Sequence, residues 1–157
     1  MPERLRRLEE TFQRYPIYFV TACTHQRREI LADPIIHAQL IEFAEHGSDH
    51  GAWLGDYVLM PNHLHAFVAA DDNRISLSTW MKSLKNALSK TLRNKGISPP
   101  HWQKGFFDHV LRSGQSYSAQ WEYVRQNPVR AGLVGNPDEW EFMGSIFPLG
   151  FRDDRVR

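Results

Sequence analysis

The sequence is poor in cysteine, in long apolar runs and, over one stretch, in acidic residues. Cys23 is the only cysteine, which excludes an internal disulfide and a thiolate zinc cluster. The longest unbroken apolar run, Ala66 to Ala70, is far shorter than the ~20 residues of a membrane span. The first residues, Met1 to Leu8, are basic, but no apolar stretch follows them, so the pattern of a secretory signal is missing. Internal repeats and low-complexity segments are also missing. These absences point to a cytoplasmic protein with no membrane partner. With 157 residues, of which 41% are hydrophobic and 24% charged, the chain has the size and balance of one globular domain. That domain is expected to span residues 1–157, with 1–14 as an N-terminal arm or short polar helix and 141–157 as a C-terminal tail.

The acid-free stretch gives the first functional hint. The formal net charge is only +1, but it is unevenly spread. Residues 1–73 hold six Lys and Arg against eleven Asp and Glu, and residues 108–157 hold six against seven. Between them, Arg74, Lys82, Lys85, Lys90, Arg93, Lys95 and Lys104 stand without a single acid. Such asymmetry suits a polyanionic partner, although a solvated basic helix face would look the same.

Residue patterns predict the elements. Ile17–Thr24, rich in aromatic and β-branched residues, reads as a strand. Asp33-Pro34 is a helix start, Asp capping free N–H groups and Pro fitting the first helical position. That helix runs through Ile36, Leu40 and Phe43 and stops near Gly47. Ala52–Met60 and His63–Ala69 read as strands joined by a tight Pro61-Asn62 break, hence an antiparallel hairpin. Ser76 opens a second helix with Leu77, Trp80, Met81, Leu84, Leu88 and Leu92 at helical spacing. At ~100° per residue, Lys82, Lys85, Lys90 and Arg93 share its opposite side, a coherent basic face. Phe106–Leu111 is a fourth strand. Ser116 or Ser118 caps a third helix that ends at Pro128. The order βαββαβ, then α, is the ferredoxin-like α+β pattern: a four-stranded antiparallel sheet with helices on one face, plus a C-terminal helix.

Two local features carry chemistry. In a strand, residues two apart point to the same face, so His63 and His65 project together while Leu64 points the other way. Two neutral imidazoles on a rigid strand can hold a divalent metal. An isolated pair of this kind is more often two hydrogen-bonded histidines beside a turn. In the third helix, Tyr117, Trp121 and Val124 form the apolar stripe. Tyr123 lies about 100° off that stripe, and Asn127, one turn on, shares its side. A tyrosine so displaced can serve as a nucleophile beside a metal ligand, or sit as an amphipathic residue at the core edge.

Three segments, in this order, carry a resemblance. They are Tyr57-Val58-Leu59-Met60-Pro61-Asn62-His63-Leu64-His65, then Trp102-Gln103 with Phe107-Asp108-His109, then Tyr123-Val124-Arg125-Gln126-Asn127-Pro128 continuing to Val134. Together with Pro137-Asp138-Glu139-Trp140, they resemble the single-tyrosine transposases of the IS200/IS605 group, within the HUH (His, hydrophobic, His) superfamily. Among these the chain is most similar to the transposases associated with repetitive extragenic palindromes (REP). The resemblance implies that Tyr123 is the nucleophile, that His63 and His65 ligate Mg²⁺ or Mn²⁺, and that Asn127 fills a third-ligand position often held by Gln.

It further implies cleavage and rejoining of single-stranded DNA beside folded hairpins through a 5′-phosphotyrosine, in the cytoplasm at the nucleoid, by a monomer or a homodimer. Arg74, Lys82, Lys85, Lys90 and Arg93 would bind the DNA backbone. Asp108 and His109 are expected to make structural hydrogen bonds. The competing readings are a hairpin-binding protein that has lost catalysis, which the intact His63, His65 and Tyr123 set opposes, and an RNA-binding ferredoxin-like module, for which no RNP1-like run exists.

Overall fold

A computed structural model describes residues 15–151; the expected N-terminal arm and the last residues of the C-terminal tail lie outside the described residues. The elements are β1 (Ile17–Cys23), α1 (Pro34–Glu45), β2 (Ala52–Met60), β3 (His63–Ala70), α2 (Leu77–Asn94), β4 (Phe107–Leu111), α3 (Gly114–Arg125), the short α4 (Asn127–Arg130) and β5 (Met143–Ser145). All pairings are antiparallel, in the order β4-β1-β3-β2-β5. The first four strands and two helices give the expected βαββαβ arrangement. No helix among the described residues is long and apolar enough to cross a membrane.

One feature corrects the expected architecture. The sheet has five strands rather than four, because residues 143–145 of the expected tail pair with the outer edge of β2. An open edge there would leave backbone donors and acceptors unpaired, and the short strand covers it. Phe142 and Phe147, on either side, are buried and staple it down. The two helices of the βαββαβ unit share one face, as expected, and the C-terminal helix takes the other. Leu64, Ala66 and Val68 of β3 pack with Leu40 of α1 and Leu84 and Leu88 of α2. On the other face, Phe67 and Ala69 pack with Val124, Tyr117 and Trp121 of α3. The sheet is therefore the middle layer of three, and α3 covers the face that bears the two histidines.

Local chemistry explains the boundaries. Asp33 caps α1, accepting from the Ile35 and Ile36 N–H groups, and Ser76 caps α2 through the Thr79 N–H. Helix α3 begins earlier than Ser116: Ser113 accepts from the Ser116 N–H and the Ser116 hydroxyl accepts from the Ser113 N–H, a reciprocal capping box. It also stops at Arg125, and Pro128 sits in the first turn of α4 rather than ending α3, since proline suits a helix start.

A register shift in β2 between Leu54 and Tyr57 places both on the α1–α2 side, while Trp53 and Val58 face α3. Beside this bulge, Asp56 accepts a hydrogen bond from the Tyr117 hydroxyl at 2.7 Å, anchoring the front of α3 to the sheet. Leu64, fully buried between the two histidines in sequence, pins β3 from behind; its truncation to Ala would cost about 2–5 kcal/mol.

Candidate functional site

The site forms where the start of β3 meets the junction of α3 and α4. The strand begins immediately after the Pro61-Asn62 turn, with Met60 opposite His63 in the register. The His63 and His65 rings face the same side, their centres 4.6 Å apart and their planes at 75°. His63 Nδ1 donates to Asn62 Oδ1 at 2.7 Å, so Nε2 keeps its lone pair. That Nε2 accepts from Asn127 Nδ2 at 3.1 Å. The break at Gln126 and the new helix starting at Asn127 aim this amide back at the strand. His65 Nδ1 is 2.8 Å from Thr21 Oγ1 on β1, and Phe19 stacks on the His65 ring at 5.3 Å, so its orientation is set from two sides.

Both rings are neutral near neutral pH. Burial, with a smaller push from the Arg27 charge, lowers the His63 pKa to about 4. Burial chiefly, then His63, Arg130 and Arg27, lowers that of His65 to about 3. Neutral imidazoles are the form that binds a metal. Among the described residues there is no cluster of three or more His, Cys, Asp or Glu suited to a metal. The donor set is therefore two imidazole nitrogens and one amide, and other ligands would have to come from water or substrate oxygens. That set carries no charge and fits a divalent ion such as Mn²⁺ that accepts mixed nitrogen and oxygen donors; Mg²⁺ favours oxygen more strongly.

Tyr123 projects from the last turn of α3 and is 64% exposed, while Tyr117 on the same helix is half-buried and bonded to Asp56. Burial first, and then Asp56, raises the Tyr117 pKa, which disfavours its ionised form. Arg130 lies over the Tyr123 ring, its guanidinium carbon 4.0 Å from the centroid. A second arginine, Arg27, flanks the histidines from the β1–α1 loop and donates to Cys23 Sγ at 3.2 Å. Its backbone and that of Gln26 are left-handed, with φ of 56° and 53°, a conformation that costs non-glycine residues roughly 1–2 kcal/mol. His63 and Asn127 open onto a pocket of about 320 Å³ that Arg27, Glu29 and Leu133 also line.

Residues 14–127 match the family described as "Transposase IS200 like". The chain belongs to the IS200-like transposase family. A REP-associated tyrosine transposase of Escherichia coli strain K12 is 26% identical over 86 residues, covering 55% of this chain and 50% of that one. The chain spans about half the length of that curated relative. An uncharacterized protein of Haemophilus influenzae is 21% identical over 145 residues, covering 71% of this chain and 79% of that one. Among solved structures, a REP-associated tyrosine transposase bound to a REP hairpin superposes with a TM-score of 0.67 at 21% identity, covering 82% of this chain and 75% of that one. This last likeness concerns the fold.

For this IS200-like chain, the structure brings His63, His65 and Asn127 together and sets Tyr123 under Arg130. The basic residues behave differently from one another. Lys82, Lys90 and Arg93 are exposed on the outer side of α2, across the sheet from the histidines. Lys85 corrects the expected exposed row: it is half-buried, donates to the Gln103 and Gly105 carbonyls, and lies 5.8 Å from the Trp102 ring. Its position on α2 is rotated about 60° from Lys82, toward the segment leading to β4. Arg74 donates to the Asp49 carbonyl at 2.7 Å and packs on Gly51. Asp108 and His109 make no side-chain hydrogen bond among the described residues; both are exposed, and His109 rests against Phe19 at 5.5 Å.

Sequence reasoning missed Arg27 and Arg130. A signal existed for Arg130, which follows Asn127 by three, a same-side helical spacing. None existed for Arg27, whose placement depends on a loop.

Proposed function

We propose that this chain is a metal-dependent transposase that cuts and rejoins single-stranded DNA at hairpin-flanked sites through a 5′-phosphotyrosine on Tyr123. The observation that carries this reading is the convergence of Asn127, one turn beyond Tyr123, on the Nε2 atom of His63. His63, His65 and Asn127 would hold Mn²⁺ or Mg²⁺, with the Asn127 amide turned over to offer its oxygen in place of the N–H that now meets His63. Such an ion, when bound, supplies charge that polarises a non-bridging phosphate oxygen.

The protein's own groups do the rest. The exposed Tyr123 hydroxyl loses its proton and its oxygen attacks phosphorus. The bond from phosphorus to the 3′ oxygen breaks, and that oxygen takes up a proton as a free 3′-OH. The 5′ phosphate stays on Tyr123. Attack of a 3′-OH on this ester restores a phosphodiester, so the same site rejoins strands with no external energy source. Arg130 would stabilise negative charge at the tyrosine oxygen and phosphate, and Arg27, which lines the same pocket as His63, would add to it. Lys82, Lys90 and Arg93 would hold DNA backbone away from the reacting bond. A DNA substrate fits a cytoplasmic protein.

The test is incubation with single-stranded hairpin DNA and Mn²⁺, followed by a denaturing gel. A covalent protein–DNA adduct that chelator prevents supports the reading. Hairpin binding with no adduct under any metal would leave a DNA-binding protein without catalysis.

A further inference from the structure

The antiparallel register aligns three residues across the sheet: His65 of β3 faces Thr21 of β1, and Thr21 faces Phe107 of β4. Residues directly opposite one another in a sheet share a face, so Phe107 stands on the same surface as His65. Strands lie ~4.8 Å apart, which puts Phe107 about 10 Å from His65. It is 69% exposed, more than any other large hydrophobic residue among those described, and it begins an edge strand. Its neighbour Phe106 turns the opposite way and packs against the α1–α2 core. Burial therefore accounts for Phe106 and not for Phe107.

We propose that Phe107 is a stacking platform for one nucleobase of single-stranded DNA, beside the site that His63 and His65 form. This rests on the reading of that site as a single-strand DNA site and adds a subsite to it. An exposed phenyl ring in register with Thr21 and His65, next to groups suited to a phosphate, matches a ligand that alternates phosphates with flat apolar rings. Base–aromatic stacking is sequence-tolerant, since every base has a π-face. At ~3.4 Å per stacked nucleotide, a separation of about 10 Å puts the stacked base within roughly three nucleotides of a phosphate at His65. Asp108, next in the chain and exposed, pairs with Val20 and so points to the other face, leaving the platform free of its charge.

The test starts from a pool of DNA hairpins with randomised single-stranded flanks. A strand that the wild-type protein selects is remade with the fluorescent base 2-aminopurine at successive flank positions. Stacking predicts quenching at one position near the cleaved bond. Phe107→Ala should abolish that quenching and weaken binding roughly 5- to 150-fold, the worth of one stacked base, while Phe107→Trp keeps both. Thermal unfolding should not change in either variant, because the ring buries little area. Selection of no strand by the wild type overturns the single-strand DNA reading and this subsite with it. Selection followed by unchanged binding and quenching in Phe107→Ala overturns only the subsite. A change in oligomeric state on sedimentation, with DNA binding intact, would make Phe107 a contact between copies and also overturn it.

Discussion

The guanidinium carbon of Arg130 lies 4.0 Å from the centre of the Tyr123 ring, and the same charge helps to hold the His65 ring neutral. One cation thus acts on both halves of the site. A guanidinium over a ring face is attracted to its π-electrons, which restrains an otherwise exposed side chain. In the proposed reaction, the same cation would offset negative charge developing on Tyr123.

Replacing Arg130 by Ala should slow covalent adduct formation by about 10²-fold or more, the usual effect of removing one charge-stabilising donor. Hairpin affinity should fall much less, because a single exposed charge contributes little to a many-phosphate interface. The check is the rate of adduct formation at saturating DNA. A rate within a factor of two of wild type would remove Arg130 from the chemistry.

Tyr123→Phe should keep the fold and hairpin binding and form no adduct, since only an exposed hydroxyl is lost. Tyr117→Phe should do the opposite. It removes the 2.7 Å hydrogen bond to Asp56 and should cost about 1.5–3 kcal/mol of stability, with adduct formation retained. Paired melting curves and denaturing gels distinguish them. An adduct mapped to Tyr117 would reverse the assignment.

Alanine at His63 or His65 should weaken Mn²⁺ binding measured by calorimetry and abolish cleavage. Asn127→Ala should weaken binding less, since an amide is the poorest donor of the three. Cleavage that persists in the double histidine variant would sink the metal assignment.

The outer face of α2 gives a prediction about salt. Lys82 and Lys90 are exposed, so changing both to Ala should flatten the slope of log affinity against log salt by about 1.5–2 units. Lys85→Ala should leave the slope near wild type and lower the melting temperature instead, because its ammonium ties down the Gln103 and Gly105 carbonyls. Identical slopes for wild type and the double variant would take α2 out of the DNA interface.

Much of the fold is legible in local patterns. The alternation around His63 and His65 separates two sheet faces, and the spacing from Leu77 to Leu92 identifies the buried stripe of α2. Asp33 and Ser76 mark two helix starts correctly because their capping is a short-range hydrogen bond. The start of α3 is misread because three serines, Ser113, Ser116 and Ser118, offer equivalent caps in sequence, and only the backbone decides which one uses its oxygen. The fifth strand is invisible because Met143-Gly144-Ser145 carries no alternation; an unpaired edge of β2 recruits it.

The sequence alone determined which side chains could act: two histidines on one strand face, a tyrosine off its helical stripe, an amide one turn later. Strand and helix periodicities are properties of neighbouring residues, so these relations need no tertiary contact. Only the tertiary structure decided that α3 covers the histidine face, that Asn127 reaches His63, and that Arg27 and Arg130 flank the pair. Those outcomes depend on which apolar sheet face each helix buries and on loop backbones such as the left-handed turn at Arg27. They join residues far apart in sequence, such as His63 and Asn127, through contacts that no local pattern encodes.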